Sequence, residues 1–187
     1  MQIRLVKPPD LDLLREIDGT IESSQYLHVE RSGEGLAGLS WKLHERPMRE
    51  RLVRSNPLDD DRRFIARQVA SGAEEGLALM AEHEDVPVAL LVATTDPAAG
   101  ILRVHEVRVD FDHRREGLGL ALIYQAISHA RDSDLRAVAA ETTTDNWPAA
   151  MLLTKCGFDL AGLDERRRTN HDLVKEAVTL FWYAALE

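Results

Sequence analysis

"VRVDFDHRREGLGLAL", residues 107–122, decides how this chain is read. Val107 and Val109 alternate with polar residues, as at the end of a strand. Gly117 and Gly119 then sit one residue apart behind Arg114 and Arg115. Leu120, Ile123, Ile127 and Ala130 recur with helical spacing to about residue 131. The first N–H groups of a helix have no internal partners, and the helix dipole makes that end positive. Glycines let a bulky anion approach the backbone. A strand running into such a helix mouth, with cations beside it, predicts a nest for phosphate or pyrophosphate. The dipole alone is worth about 0.3–2 kcal/mol, so several amides and both arginines would have to act together.

The glycine pair fits two familiar phosphate motifs poorly. A P-loop needs Lys-Ser/Thr after its last glycine, where this chain has Leu120-Ala121. A dinucleotide fold wants Gly or Ala where Leu122 stands, and its acidic ribose partner would have to be Asp132 or Asp134, at a helix end rather than a strand tip. Glycine spacing alone leaves a tight helix start with no ligand equally open.

Outward from this stretch, "ILRVHEVRVDF" (101–111) reads as a strand and "LRAVAAE" (135–141) as another. Strand, helix and strand over 101–141 imply a right-handed parallel crossover. Upstream, "GLALMAEHE" and "VPVALLVATT" form an antiparallel hairpin turning at Asp85. "DDDRRFIARQVASG" (59–72) has acidic residues first and a glycine stop, as a helix should. "QIRLV" (2–6) alternates like a strand, and "PPDLDLLREID" predicts a short helix on Leu11, Leu14 and Ile17. Between 20 and 57 the pattern is poor, and "YLHVE" and "LSWKLHE" read equally as strands or helix fragments. Downstream, "DNWPAAMLLTKCGF" predicts a helix with Pro148 in its first turn, Lys155 in its last and Gly157 as its stop. "FDLAGLDE" and "VKEAVTLFWYAAL" follow as an antiparallel pair. The expectation is one mixed α/β domain over 1–187 with its sheet between helices.

Composition limits the partners. The chain has 187 residues, 44% hydrophobic and 29% charged, which suits a globular protein with a real core. The net charge of -9 disfavours nucleic acid and anionic membranes and favours cationic partners. No apolar run is long enough for a membrane span, and "MQIRLVKPPD" is not a secretory signal. One cysteine, Cys156, excludes an internal disulfide and a multi-cysteine metal site, so no metal is expected. Together these point to the cytoplasm.

Arg114, Gly117 and Gly119 in an R-x-x-G-x-G run, led by "VRVDFDH" and followed by "ETTTDNWPAAMLLTKCGF", resemble the GNAT superfamily of N-acetyltransferases over roughly 86–185. The first motif is similar to that superfamily's pyrophosphate-binding loop for acetyl-CoA. The second is similar to its asparagine-led helix ending in K-x-G-F, here Lys155, Gly157 and Phe158. The tail "TTDN…KCGFDLAGLD…KEAVTLFWY" resembles the streptothricin acetyltransferases, without a contribution from the first 80 residues. The resemblance implies a GNAT fold with two splayed parallel strands and an acetyl-CoA-binding core of about 86–162. The backbone of Val107 and Val109 would pair with the pantetheine arm. The N–H groups of Arg114, Arg115, Gly117, Leu118, Gly119 and Leu120 would hold the pyrophosphate. Asn146 would bond along the arm, or simply cap its helix.

It also implies acetyl transfer to the primary amine of a small molecule, directly within a ternary complex. A free alkyl amine has a pKa near 10.4 and needs a base at neutral pH. Glu106, in the strand beside the expected thioester, is the first candidate and His105 the second. Strand alternation predicts that only one of them reaches the site. Many family members place a tyrosine acid four residues before the glycine of K-x-G-F, where this chain has Leu153. Tyr183, Tyr124 and Tyr26 are the remaining tyrosines, and Tyr183 in the last strand is the candidate acid. Acceptor selection would fall to about 20–57 and 163–174. Arg166, Arg167 and Arg168 in the second segment would repel a polycation and suit an amine that carries a carboxylate or phosphate, unless they are simply a solvated loop paired with Asp164, Glu165 and Asp172. Trp41 and Trp147 could stack on an acceptor or pack in the core. Acetylation of a protein N-terminus or lysine, a catalytically inactive acyl-CoA-binding module, and a homodimer all remain open.

Overall fold

The computed structural model describes residues 1–186. Seven strands form one sheet: β1 (Gln2–Leu5), β4 (Gly76–His83), β5 (Val86–Asp96), β6 (Ile101–Val109), β7 (Ala137–Thr143), β9 (Thr179–Ala185) and β8 (Asp159–Asp164), in that spatial order. β2 (Ile21–Ser32) and β3 (Ser40–Arg54) make a separate two-stranded hairpin, with a short helix, α1 (Gly35–Gly38), at its tip. Neighbours in the large sheet pair antiparallel, except β6 and β7.

The apolar runs of β4 and β5 are long because both sheet faces are covered. Leu79, Ala81, Ala89 and Leu91 face α3 (Leu118–Asp132) and α4 (Trp147–Lys155). Ala78, Met80, Leu90 and Val92 face α2 (Asp60–Ala70) and the segment around Leu11, Leu14 and Ile17. Strand alternation thus splits one run between two cores. The β4–β5 turn is made by Glu84 and Asp85, both with positive φ (50° and 63°), as a tight two-residue hairpin turn needs. Asp59 caps α2, accepting from the Arg62 amide at 2.7 Å. No helix among the described residues is long and apolar enough to cross a membrane.

Some expectations are corrected, and the open reading of 20–57 resolves to strands. "PPDLDLLREID" forms two 3-10 turns, Pro8–Asp10 and Leu13–Glu16, instead of a short α-helix. The buried residues Leu11, Leu14 and Ile17 recur every three positions, which is the 3-10 period. The segment 20–57 is the hairpin, tied to the main body where the Leu27 amide donates to the Thr144 carbonyl at 2.9 Å. The expected α3 face of Leu120, Ile123, Ile127 and Ala130 does pack on the core, with Leu120 half-buried at its start, and Leu118, Leu122 and Ala126 widen it. The last strand begins only at Thr179, because Asn170 to Glu176 form turns.

Candidate active site

The parallel pairing of β6 with β7 runs from Ile101–Ala137 to Val104–Ala140 and then stops. Glu106 to Val109 and Glu141 to Thr143 continue as strands without pairing to each other. The sheet therefore opens into a split with free backbone edges. A cavity of about 550 Å³ sits there, lined by His105, Glu106, Val107, Thr142, Asn146 and Leu153 among others.

At the far end of β6, Gly117 holds φ 85° as the N-cap of α3, and Arg115 is also left-handed at φ 65°. The first intrahelical bond runs from the Ala121 amide to the Gly117 carbonyl at 2.9 Å. The amides of Leu118, Gly119 and Leu120 precede it, so the helix mouth has the donors that a diphosphate requires. A Cβ built on Gly117 meets no atom within 4 Å, so the approach is clear. Gly119 serves packing as well: a Cβ there would lie 3.1 Å from Leu152 Cδ2 and 3.7 Å from Val109 Cγ2. Since Leu152 also lines the cavity, the helix mouth and the cavity share a wall. Arg114 turns back to donate from Nε to the Val109 carbonyl at 3.2 Å and lies over the Phe111 ring at 5.0 Å. Burial pulls its guanidinium below the usual arginine range, with Asp18 and Asp110 opposing. Arg115 is exposed.

His105 and Glu106 both line the cavity, although alternation predicts opposite faces. The cause is a register shift: Val104 pairs with Ala93 and Glu106 with Val92, leaving His105 as the extra residue of a bulge. His105 Nε2 lies 2.7 Å from Thr94 Oγ1. Burial pushes the imidazole below its ordinary value, and Arg103 adds to the effect, which keeps the ring neutral near pH 7. Glu106 is buried and held at both oxygens. Arg62 Nε from α2 reaches Oε2 at 2.8 Å, and Arg108 Nε donates to Oε1 at 3.2 Å. Arg108 is itself buried, and a Cβ on Gly19 would lie 2.6 Å from its Nη1, so glycine is needed for that approach. Neither arginine is a sequence candidate: Arg108 could have been found two residues from Glu106 on one strand face, whereas Arg62, 44 positions before Glu106, carries no sequence signal.

Asn146 is the N-cap residue of α4 but makes no side-chain capping bond, and it lines the cavity. Leu153, at the usual tyrosine position, is buried against the same cavity. The structure does not bring Tyr183 there. It pairs with Ala139 and packs on Ile101 and Ala137 in a small cluster at the other end of β6. Tyr124 is exposed on α3, and Tyr26 lies edge-on to His28 in the hairpin. The base of the hairpin closes the cavity with Ile21, Arg54, Ser55 and Asn56, and the β8–β9 connection adds Arg168. Trp41 instead donates from Nε1 to Glu165 at 3.1 Å, and Trp147 packs against the α3–α4 core.

A sheet split beside a helix mouth with free amides can take an extended ligand that carries a phosphate group. The chain belongs to the Acetyltransferase (GNAT) family, whose sequence profile matches residues 40–158. It is similar to the streptothricin acetyltransferase of Streptomyces lavendulae, 27% identical over 165 residues, covering 87% of this chain and 84% of that protein. It is 32% identical to the streptothricin acetyltransferase of Escherichia coli over 80 residues, 43% of this chain and 46% of that one. The match therefore spans about half the length of the Escherichia coli relative. The Streptomyces alignment is too long to be confined to the second half of the chain, so the first 80 residues share in the likeness. Among solved structures, nourseothricin acetyltransferase superposes with a TM-score of 0.79 at 23% identity, covering all of this chain and 98% of that one. A putative streptothricin acetyltransferase from Bacillus anthracis, in complex with acetyl coenzyme A, gives 0.77 at 20% identity, with the same coverage.

Proposed function

We propose that this chain, as one acetyltransferase domain, moves the acetyl group of acetyl-CoA to the primary amine of a small molecule within a ternary complex. The observation that carries the reading is the open split between β6 and β7, with free amides at one end and His105 and Glu106 in its wall. Amides from Leu118 to Leu120, with Arg114 and Arg115 nearby, would hold the diphosphate. The free edges near Val107 and Val109 would bond the pantetheine arm as an added strand does, and Asn146 has an uncommitted side chain to join them. A reducing, cytoplasmic setting fits the single buried Cys156, which carries no disulfide.

The ammonium first gives up one proton. The free amine nitrogen then attacks the thioester carbonyl, the carbon–sulfur bond breaks, and the nitrogen's second proton passes to the departing sulfur or to water. Glu106, fixed by Arg62 and Arg108, presents its carboxylate to the arriving amine, and neutral His105 beside it accepts the proton directly or through water. The departing thiolate resembles a cysteine thiol, with a pKa near 8.5, and leaves without a dedicated acid. This fits Leu153 where a tyrosine is usual and the remote place of Tyr183.

Thiol release from acetyl-CoA across a panel of amines, with wild type and Glu106→Gln, tests the reading. Wild type should release thiol with at least one amine. Glu106→Gln, which removes the charge that places the amine, should lower kcat/KM, and His105→Gln should lower it by about 10²–10⁴-fold, the usual share of acid–base help. Coenzyme binding with no release for any amine would overturn it in favour of an inactive acyl-CoA-binding module.

A further inference from the structure

The cavity that the proposed acetyl transfer uses also says what kind of amine fits, and the following rests on that reading. Two carboxylates line it, and both are already paired within the chain. Glu106 is held by Arg62 and Arg108, and Glu141 accepts from Arg167 Nη2 at 3.2 Å. Asp145, next to the lining, holds Arg54 at 2.5 Å. Three arginines line the cavity. Arg54 and Arg62 have these carboxylate partners, whereas Arg168 makes no ion pair among the described residues. A polycation entering here, with one amine at Glu106, would find no unpaired carboxylate for its further charges and one unpaired guanidinium.

Arg168 is also held in place. The carboxylate of Asp172, itself buried, accepts from the Arg168 amide at 2.8 Å, from the Thr169 amide at 2.9 Å and from Thr169 Oγ1 at 2.7 Å. These bonds, the Thr169 hydroxyl foremost, pull the Asp172 carboxyl below its ordinary range, so it stays an acceptor across the neutral range. The backbone of Arg168 is thereby anchored while its side chain remains exposed at the cavity rim. Its neighbour Arg167 is committed to Glu141 and the Phe181 ring, and neither Arg167 nor Arg166 lines the cavity.

We infer that Arg168 selects an acceptor carrying an anionic group, a carboxylate or a phosphate, besides the amine to be acetylated. The amine goes to the Glu106–His105 wall and the anion to the Arg168 guanidinium, whose fork matches either group. Asp172 is the positioning residue that aims it.

The test compares matched amines with wild type and Arg168→Gln. Lysine is set against lysinamide, phosphoethanolamine against ethanolamine, and streptothricin supplies the polycation. Two quantities are measured: kcat/KM from thiol release, and equilibrium binding of each amine to the CoA-loaded protein by calorimetry. Wild type should favour the anionic member of at least one pair by about tenfold, which corresponds to 1.4 kcal/mol. Arg168→Gln should bring that ratio close to one, chiefly through KM. The lysine and phosphoethanolamine arms separate carboxylate from phosphate. Anion-selective binding without thiol release supports the inference and counts against acetyl transfer. Equal or weaker binding of both anionic members, a preference untouched by Arg168→Gln, or streptothricin as the best acceptor would each overturn it.

Discussion

Gly117→Ala separates the two properties that this glycine joins. The residue sits at φ 85°, where a Cβ costs about 1–2 kcal/mol, and nothing in the protein lies within 4 Å of that Cβ. The stability cost is therefore backbone strain alone, without a clash. In a chain of this size it should lower Tm by about 2–8 °C. The coenzyme cost is separate: the added methyl enters open space at the helix mouth, next in sequence to the amides of Leu118 to Leu120 that a diphosphate would have to reach. Losing one charge-assisted amide bond, at about 1.5–3 kcal/mol, would weaken CoA binding by about 10- to 150-fold. Gly117→Asn makes the distinction sharp. Asparagine tolerates the left-handed region, so Tm should largely recover while CoA affinity stays low. Thermal unfolding of the ligand-free protein and calorimetric titration with CoA measure the two effects. A Gly117→Ala protein that binds CoA within about twofold of wild type would refute the diphosphate nest at this helix.

Two further predictions use titrating groups. Because burial, helped by Arg103, holds His105 below an ordinary imidazole, the acid limb of kcat/KM should lie below about pH 6.5, and His105→Gln should remove or displace it; an unmoved limb would take the proton-acceptor role from His105. Asp10 is bound by Arg4 (2.7 and 2.9 Å) and by the Lys7 amide, and Arg4 above all holds its carboxyl below the usual range. The folded state therefore binds this proton less readily than the unfolded state, so the stabilisation is complete above about pH 4 and is lost as pH falls through the lowered value. Tm measured against pH should show wild type above Asp10→Asn near neutrality and the two converging in strong acid.

What the sequence discloses depends on which faces are buried. β4, β5, α2, α3 and α4 each carry a buried stripe or a capped end, so their apolar spacing and their Asp, Pro and Gly signals are legible. The hairpin is not. No residue of β3 is buried, so no apolar alternation marks it, and Pro47 stands where the register with β2 shifts near Gln25. The helix mouth can be read from Gly117 and Gly119 because its chemistry is local backbone chemistry. The His105 bulge cannot, since it exists only in the register that β6 takes against β5. Arg62 is hidden for the same reason, as it meets Glu106 only once α2 packs on the sheet.

The acceptor question turns on two length scales of charge. A net charge of -9 sets the field that an approaching molecule meets, and that field favours cations. In physiological salt it decays over about 8 Å, so it governs arrival more than fit. Inside the cavity the balance is made pair by pair, and there the carboxylates are occupied by the chain's own arginines. An amine that also carries an anion satisfies both conditions: its ammonium is not repelled on approach, and its carboxylate or phosphate finds Arg168 at the rim. A bare polycation satisfies only the first. The same pairing bears on Glu106, because a carboxylate gripped at both oxygens is fixed in place and must loosen one arginine to bond a proton directly. Two adjacent residues on a bulge can divide the work, with the carboxylate placing the amine and the neutral imidazole taking its proton. In a regular strand, where neighbours face opposite sides of the sheet, they could not.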